Sequence, residues 1–421
     1  MLNFIIYDVL GTPAILVGLF ALIGLVLQRK SVSNVISGTL KTIMGFVLLT
    51  SGATVIASTL AIFSCLFEHS FHIHGVVPNT DAMAALAQKS FGTATAMIMV
   101  FGMVINIILA RFTPLKYIFL TGHHTLYMAA MLAVILSAGN ISLFWVTITG
   151  SLILGTMMVI SPAILQPFTR RITGTDELAL GHFGSFGYLL AALIGKVTGK
   201  GSVTIEEIEV PKSLNFMRDS SVAISLTMMV LFLVLVTIAG KNFVENTLSH
   251  GQNFIIFAII QSLTFAAGVY IILAGVRMII AEIVPAFKGI ADKLVKDAKP
   301  ALDCPTVFPF APNAVIIGFL VSFLAGLISM FLFPLFNLSV IVPGLVPHFF
   351  CGGTAGVYGN VMGGRRGVVI GAFAHGLLIS FLPAILLPLM GDMGFASTTF
   401  GDADFGVVGI ILGNILSLIN V

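Results

Sequence analysis

FIIFAIIQSLTFAAGVYIILAGV, residues 254–276, contains no charged side chain. At about 1.5 Å per residue, a helix of this length crosses the ~30 Å hydrocarbon core of a bilayer. Seven further apolar stretches of similar span lie along the chain: Gly11–Gln28, Ile43–Leu66, Phe91–Ala110, Leu143–Ile164, Val222–Ala239, Ala314–Leu335 and Val368–Leu389. Only 9% of the 421 residues are charged, 58% are hydrophobic and the mean hydropathy is +1.10, whereas soluble domains carry about 25% charged residues. So few charges cannot cover a surface that faces water. Because unsatisfied backbone groups are costly in lipid, repeated spans of this length imply an all-α bundle rather than a barrel.

The first apolar run has no basic segment before it and no small-residue cleavage site after it, so it reads as a retained helix. Basic residues gather at Arg29/Lys30/Lys41, Arg111/Lys116, between Arg170 and Arg218, between Arg277 and Lys299, and at Arg365/Arg366. Acidic residues mark the other connections, with Glu68 and Asp81, then Glu245, then Asp392, Asp402 and Asp404. By the positive-inside rule, the basic segments are cytoplasmic, the N-terminus and acidic loops external. Ten or eleven membrane elements are expected, the last at Phe405–Leu418.

Several segments are not plain spans. Ser31–Thr42 and Ile279–Lys299 are too polar to cross, yet their apolar residues recur at helical spacing, as in amphipathic helices lying at the interface. The apolar run Ser185–Ile194 follows a polar loop and is short enough for a re-entrant hairpin. Three prolines interrupt Ala301–Asn313, and Val342–Arg366 holds two prolines and seven glycines. Non-helical backbone at membrane depth needs protein or a water-filled cavity around it. An internal echo links LVLQRKSVSNVISGTLKTIMG (25–45) to ILAGVRMIIAEIVPAFKGIADKL (272–294). It predicts one membrane domain over 1–421 made of two structural repeats, approximately 1–219 and 220–421, with interrupted segments contributing to one central site.

Titratable side chains in hydrocarbon cost about 2.5 kcal/mol or more, so each needs a reason. Three groups qualify: His123/His124 in FLTGHHTLYM, His182 in LALGHFGSFG and Asp303 in ALDCPTVF. Their donors and acceptors suit a hydroxyl-rich solute; alternatively, each satisfies loose backbone at its own helix break. No metal is expected. The HxH pair His72/His74 and the adjacent His123/His124 match no known ligand spacing, and Cys65, Cys304 and Cys351 read as buried apolar residues. CGGTAGVYGNVMGGRRG (351–367) lacks the GK[ST] ending of a phosphate loop, so its glycines indicate close helix packing or a re-entrant turn. No ATP-driven motor and no cofactor are therefore expected, which leaves an ion gradient or a partner as the energy source. The mixed charges between 170 and 219 read as a solvated loop, with a docking face for a soluble partner as the alternative.

SVSNVISGTLKTIMGF (31–46), FLTGHH (119–124), ALGHFGSFGYLLAALIGK (179–196), GVRMIIAEIVPAFKGIADKL (275–294) and ALDCPTVFPFAPNAVIIGF (301–319) occur in the order found in ascorbate-type enzyme IIC, a membrane subunit of the bacterial phosphotransferase system. The chain resembles that family along essentially its whole length. The resemblance implies about 11 transmembrane helices with inverted repeats, a core domain and a V-shaped dimerisation domain. It further implies a homodimer in the cell membrane, an elevator-like movement, and solute phosphorylated during delivery by a cysteine of a separate EIIB charged by EIIA. No EIIA or EIIB domain is expected in this chain. The family's ascorbate-binding positions fall on Thr80, Asp81, His123, His124, Thr125, Tyr127, His182, Phe183 and Asp303, with Asp303 as the possible general base. Ascorbate carriers have tyrosine, glutamine and glutamine where this chain has Asp81, Tyr127 and Phe183, which can change the hydroxyls read. Two rivals are a proton-coupled transporter using the buried Asp and His as a relay and an intramembrane metalloenzyme.

Overall fold

The computed structural model describes residues 12–71, 75–139, 141–207, 220–293, 295–390 and 398–419. Its principal helices are α1 Pro13–Leu27, α2 Val32–Phe71, α3 Thr80–Phe112, α4 Gly122–Ala138, α5 Leu143–Thr173, α6 Ser185–Thr198, α7 Ser220–Ala239, α8 Phe254–Lys293, α9 Pro312–Leu332, α10 Gly353–Leu386 and α11 Ala403–Ile419. Every apolar run of the sequence maps onto one of these helices or its 3-10 extension. Among the described residues, six segments are long and apolar enough to cross a membrane: Val32–Phe71, Ser90–Phe112, Leu143–Thr173, Phe254–Ile279, Pro312–Phe336 and Leu345–Met390. A seventh arises if Ile224–Ala239 and Lys241–Leu248, bent by 100°, form one broken span. Val17–Leu27, Gly122–Ala138, Ser185–Thr198 and Ala403–Leu418 are shorter apolar helices.

Three local expectations change. The amphipathic stretches near 31–42 and 279–299 are not separate interfacial helices; most of each continues its neighbouring span, making α2 and α8 40 residues long. At about 60 Å, such helices are twice as long as the hydrocarbon is thick, so their polar ends need not lie in it. Those ends meet each other, with Lys41 Nζ 3.3 Å from Glu282 Oε1. Ser185–Ile194 forms a regular helix, α6, rather than a hairpin. Within 342–366, the part before Gly353 is irregular, ending in a π-helical turn at His348–Gly352, and the helix that follows is interrupted at Gly364 alone. From Gly353 the chain is helical despite its glycines, because close packing replaces what they lose in intrinsic helix preference.

That packing is clearest where α6 lies against α10. A Cβ on Gly199 would sit 2.0 Å from Gly363 Cα, and one on Gly363 would sit 2.3 Å from Gly195 O. One residue further, Gly364 takes φ 53°, ψ −144° and breaks α10. The freed Arg365 N–H donates to Val203 O at 2.8 Å.

Short strands occupy the breaks between helices. Strands β1 Val77–Pro78 and β5 Thr398–Thr399 pair in parallel. Strands β2 Tyr117–Phe119, β3 Ala179–Leu180 and β4 Lys299–Leu302 form a second parallel sheet in the order β2-β4-β3. These ladders satisfy backbone groups that lipid cannot. Asn106 on α3 acts as an extra strand edge: its amide donates to Tyr117 O at 3.0 Å and its carbonyl accepts from Phe119 N–H at 3.1 Å.

Of the mixed charges between 170 and 219, Glu209, Lys212 and Arg218 lie outside the described residues, and others serve the fold. Glu206 caps α9, accepting from Asn313 N–H at 3.2 Å and Ala314 N–H at 2.8 Å. Glu206→Ala is expected to lower stability by about 1 kcal/mol, measured as a drop in Tm in detergent. An unchanged Tm would show that the cap adds nothing.

Candidate functional site

Each strand of the three-stranded sheet runs directly into expected site residues. After β2 the chain turns into α4 with His123 and His124, after β3 it passes His182 and Phe183 before α6, and β4 ends at Asp303. Open parallel sheets hold ligands beyond the carboxyl ends of their strands, and the helix N-termini there add positive field. Cross-links hold the strand ends together. Thr121 Oγ1 donates to Gly181 O at 2.5 Å, Leu120 N–H to Ala301 O at 2.9 Å and Gly181 N–H to Leu302 O at 2.6 Å.

One carboxylate therefore faces two imidazoles. Asp303 Oδ2 lies 3.3 Å from His123 Nε2 and Oδ1 lies 3.8 Å from His182 Nε2. Oδ1 also accepts from Cys304 N–H at 2.7 Å, which aims the carboxylate and caps the 3-10 turn Cys304–Phe310. The ring of His124 crosses that of His182 with centroids 3.8 Å apart and stacks on Phe405 at 5.9 Å. Tyr127 presents its ring edgewise to both His123 and His124 at 5.7 Å. Phe183 is buried and stacks on Phe119 at 4.8 Å, giving the cluster an apolar floor. The Thr125 hydroxyl donates to Thr121 O at 3.1 Å, within its own helix. Thr80 Oγ1 accepts from Gly401 N–H at 3.2 Å, which ties the start of α3 to the turn before Asp402. Asp81 lies in the first turn of α3, but its side chain is outside the described residues, as are His72 and His74.

Of the acids expected in an outer loop near the C-terminus, Asp392 lies outside the described residues, and the other two occupy a different place. Asp402 and Asp404 are buried, because β5 returns the chain to β1 and α11 starts inside the bundle. Asp402 Oδ2 stands 4.0 Å from His124 Nδ1, and Cys351 Sγ–H donates to Asp402 Oδ1 at 3.0 Å. Asp404 accepts from Ser185 Oγ–H at 2.6 Å and Phe186 N–H at 2.9 Å, anchoring the start of α6. The legible signal was Asp-Ala-Asp set directly before an apolar helix, where carboxylates favour the N-terminus. Tyr188, whose hydroxyl contacts His182 Nδ1 at 2.9 Å, had no such signal.

The approach to β3 and β4 is held by a polar clamp. Gln166 Nε2 donates to Asp176 Oδ1 at 2.7 Å and to Leu178 O at 3.1 Å, while Lys299 Nζ reaches Asp176 Oδ2 at 2.6 Å. Partial burial pushes the Asp176 carboxyl up, but the hydrogen bonds from Lys299 and Gln166 outweigh it and hold it below its ordinary value of 3.8. A depressed carboxylate adds stability above its ordinary range, and that contribution is lost as pH falls through the folded value. Asp176→Asn is thus expected to lower stability at pH 7 by at most about 1 kcal/mol, since the pair is partly exposed. The wild-type advantage should fade as pH falls below the ordinary 3.8 and through the folded value; Tm against pH for both proteins checks this.

Three overlapping donor sets have the composition of a metal site: His123/His124/Asp303, His124/His182/Asp402 and His182/Asp303/Cys304, each with ligand atoms within 4.8 Å of one another. A zinc ion holds such ligands at about 2.1 Å, which small side-chain movements would reach. The same spread suits hydrogen bonds to a solute placed among them. By contrast, a groove of about 630 Å³ between α3 and α5, lined by Met97, Phe101, Ile105, Phe144 and Leu152 among others, offers no titratable group.

Residues 8–404 match the family EIIC-GAT, described as the PTS system sugar-specific permease component. The chain is also similar to the ascorbate-specific PTS system EIIC component of Mycoplasma pneumoniae, 28% identical over 428 aligned residues that cover 86% of this chain and 63% of that protein. It thus spans less than two thirds of that relative's length. With a match through nearly the whole chain and a helical membrane bundle that gathers His123, His124, His182 and Asp303 at one internal place, the protein belongs to the EIIC-GAT family of PTS sugar-specific permease components.

Proposed function

We propose that this chain carries L-ascorbate, or a solute equally rich in hydroxyls, across the cell membrane and presents it for phosphorylation by the phosphocysteine of a separate EIIB, itself charged by EIIA. The observation that carries the reading is Asp303 between His123 and His182 at the ends of three parallel strands. A carboxylate and imidazoles offer acceptors and donors in one place, as neighbouring hydroxyls require. The name of the M. pneumoniae relative supports ascorbate as the solute. Asp81, Tyr127 and Phe183 widen the proposal to related acids and sugars, since Phe183 offers a stacked ring where an amide would read a hydroxyl.

In the proposed reaction, Asp303 accepts a hydrogen bond from the attacking hydroxyl. As the new P–O bond forms and the S–P bond of EIIB breaks, the hydroxyl proton passes to Asp303 and the cysteine leaves as thiolate. His182 and His123 hold the carboxylate in line, at a working distance of about 2.6 to 3.2 Å from the hydroxyl oxygen.

The architecture that goes with this function is an external N-terminus, about eleven transmembrane helices in two inverted repeats over approximately 1–219 and 220–421, and a core domain moving as an elevator against a V-shaped dimerisation domain in a homodimer. The paired 40-residue helices α2 and α8, whose matching polar ends contact one another, favour the repeat.

Sealed membrane vesicles containing the protein test the function. With phosphorylated EIIB inside and labelled L-ascorbate outside, phosphorylated product should collect in the lumen and unmodified solute should not. Accumulation of unmodified solute driven by a proton gradient would instead establish a secondary transporter. A thermal-shift panel of ascorbate, pentitols, hexitols and ketoses identifies the cargo, because a ligand bound to the folded state raises stability by mass action.

A further inference from the structure

Behind the two inner histidines runs a buried chain of polar side chains that does not touch the proposed reaction. Tyr188 Oη lies 2.9 Å from His182 Nδ1. The Tyr188 ring is fully buried, stacked against Tyr358 at 5.8 Å and His375 at 5.9 Å. Further along, the Cys351 thiol directs its hydrogen to Asp402 Oδ1 at 3.0 Å. The other oxygen of Asp402 stands 4.0 Å from His124 Nδ1, a buried nitrogen with no hydrogen bond.

Counting protons along this chain fixes its direction. A neutral imidazole has one N–H and one acceptor nitrogen. His182 Nε2 faces the Asp303 carboxylate, an acceptor only, so a proton on Nε2 is attracted and a lone pair there is repelled. Nδ1 is then the acceptor and needs a donor. The Tyr188 hydroxyl, 2.9 Å away, supplies it with its one hydrogen. At the far end, Asp402 Oδ2 is again an acceptor only and favours the proton of His124 on Nδ1. We infer that Tyr188 on one side and the Cys351–Asp402 pair on the other form a positioning relay that holds His182 as its Nε2–H tautomer and His124 as its Nδ1–H tautomer. The two imidazoles thereby differ in function: His182 presents a donor at Nε2 and His124 an acceptor at its Nε2. A partner on the remote nitrogen sets the tautomer and orientation of a working histidine in the same way at metal sites.

The consequence for transport rests on the function proposed above, but the tautomers themselves do not. The test is nitrogen-15 NMR of the full chain labelled at histidine, in lipid nanodiscs, with His182→Gln and His124→Gln used to assign signals. Wild-type His182 should show an unprotonated Nδ1 and a protonated Nε2, and His124 the reverse. Tyr188→Phe keeps both ring stacks and removes only the hydroxyl. It should mix the His182 tautomers and raise the Kd for L-ascorbate roughly tenfold, the effect of losing about one well-placed hydrogen bond. Cys351→Ser, which keeps a donor to Asp402, should retain the wild-type His182 signals. A wild-type His182 protonated at Nδ1 overturns the relay whether or not the variants fold, and so does a Tyr188→Phe spectrum identical to wild type. If the tautomers are as inferred and L-ascorbate fails to bind wild-type protein, the relay stands and the choice of solute falls.

Discussion

Asp303→Asn is expected to reduce EIIB-dependent formation of phosphorylated solute by at least a hundredfold, the lower end of what a positioned general base contributes. The substitution preserves size and removes the negative charge. One amide oxygen then stands where two carboxylate oxygens face His123 Nε2 at 3.3 Å and His182 Nε2 at 3.8 Å. The amide nitrogen would oppose one imidazole as donor against donor and could not take the hydroxyl proton. Part of the loss should appear as weaker binding and part as slower turnover, so thermal-shift affinity and product formation with phosphorylated EIIB are measured together. Normal binding with full phosphorylation would remove Asp303 from the reaction. Because Asp303 also caps the turn at Cys304, the Tm of the variant is needed as a control, with asparagine a competent cap in its place.

Gly363→Val should be the most damaging change outside the site. A Cβ there would lie 2.3 Å from Gly195 O and 2.7 Å from Gly195 Cα, with no flexible side chain to yield. Overpacking that a rotamer change can absorb costs about 1–3 kcal/mol; here two backbones must separate, and more than about 3 kcal/mol is expected. The displaced helix would be α6, which begins three residues after His182 and is anchored by Asp404, so binding should fall with stability. Fluorescence-detected size-exclusion chromatography should show little folded protein in detergent. Wild-type yield and Tm would mean that the helices are further apart than described. Gly364→Ala should be damaging too: a residue with a Cβ at φ 53°, ψ −144° is strained by about 1–3 kcal/mol, and that Cβ would also lie 2.3 Å from Val203 O.

Much of this protein was legible because the bilayer imposes a simple length rule. Runs such as Phe254–Val276 needed no partner to be recognised, and helical backbone satisfies its own hydrogen bonds wherever it lies. His123, His182 and Asp303 stood out in the sequence for the same reason, since ionisable groups are expensive in hydrocarbon. Length rules failed where local chemistry continued smoothly. No proline or glycine pair separates the polar start of α2 from its apolar body, so one helix runs through both. Hydropathy misplaced Asp402 and Asp404 because charge per residue cannot tell an outer loop from a buried helix N-terminus with partners waiting.

What the sequence alone determined is therefore the membrane bundle and the types of side chain at the candidate site. Only the tertiary structure decided how those side chains meet. The strands that align His123, His182 and Asp303 are two to four residues long, too short for any alternation to show, and they exist because segments roughly sixty to one hundred and eighty residues apart satisfy one another's backbone. The Cys351–Asp402 pair likewise joins the ends of two distant helices. Its members look like ordinary core or loop residues until folding removes water and leaves each with the other as its hydrogen-bond partner.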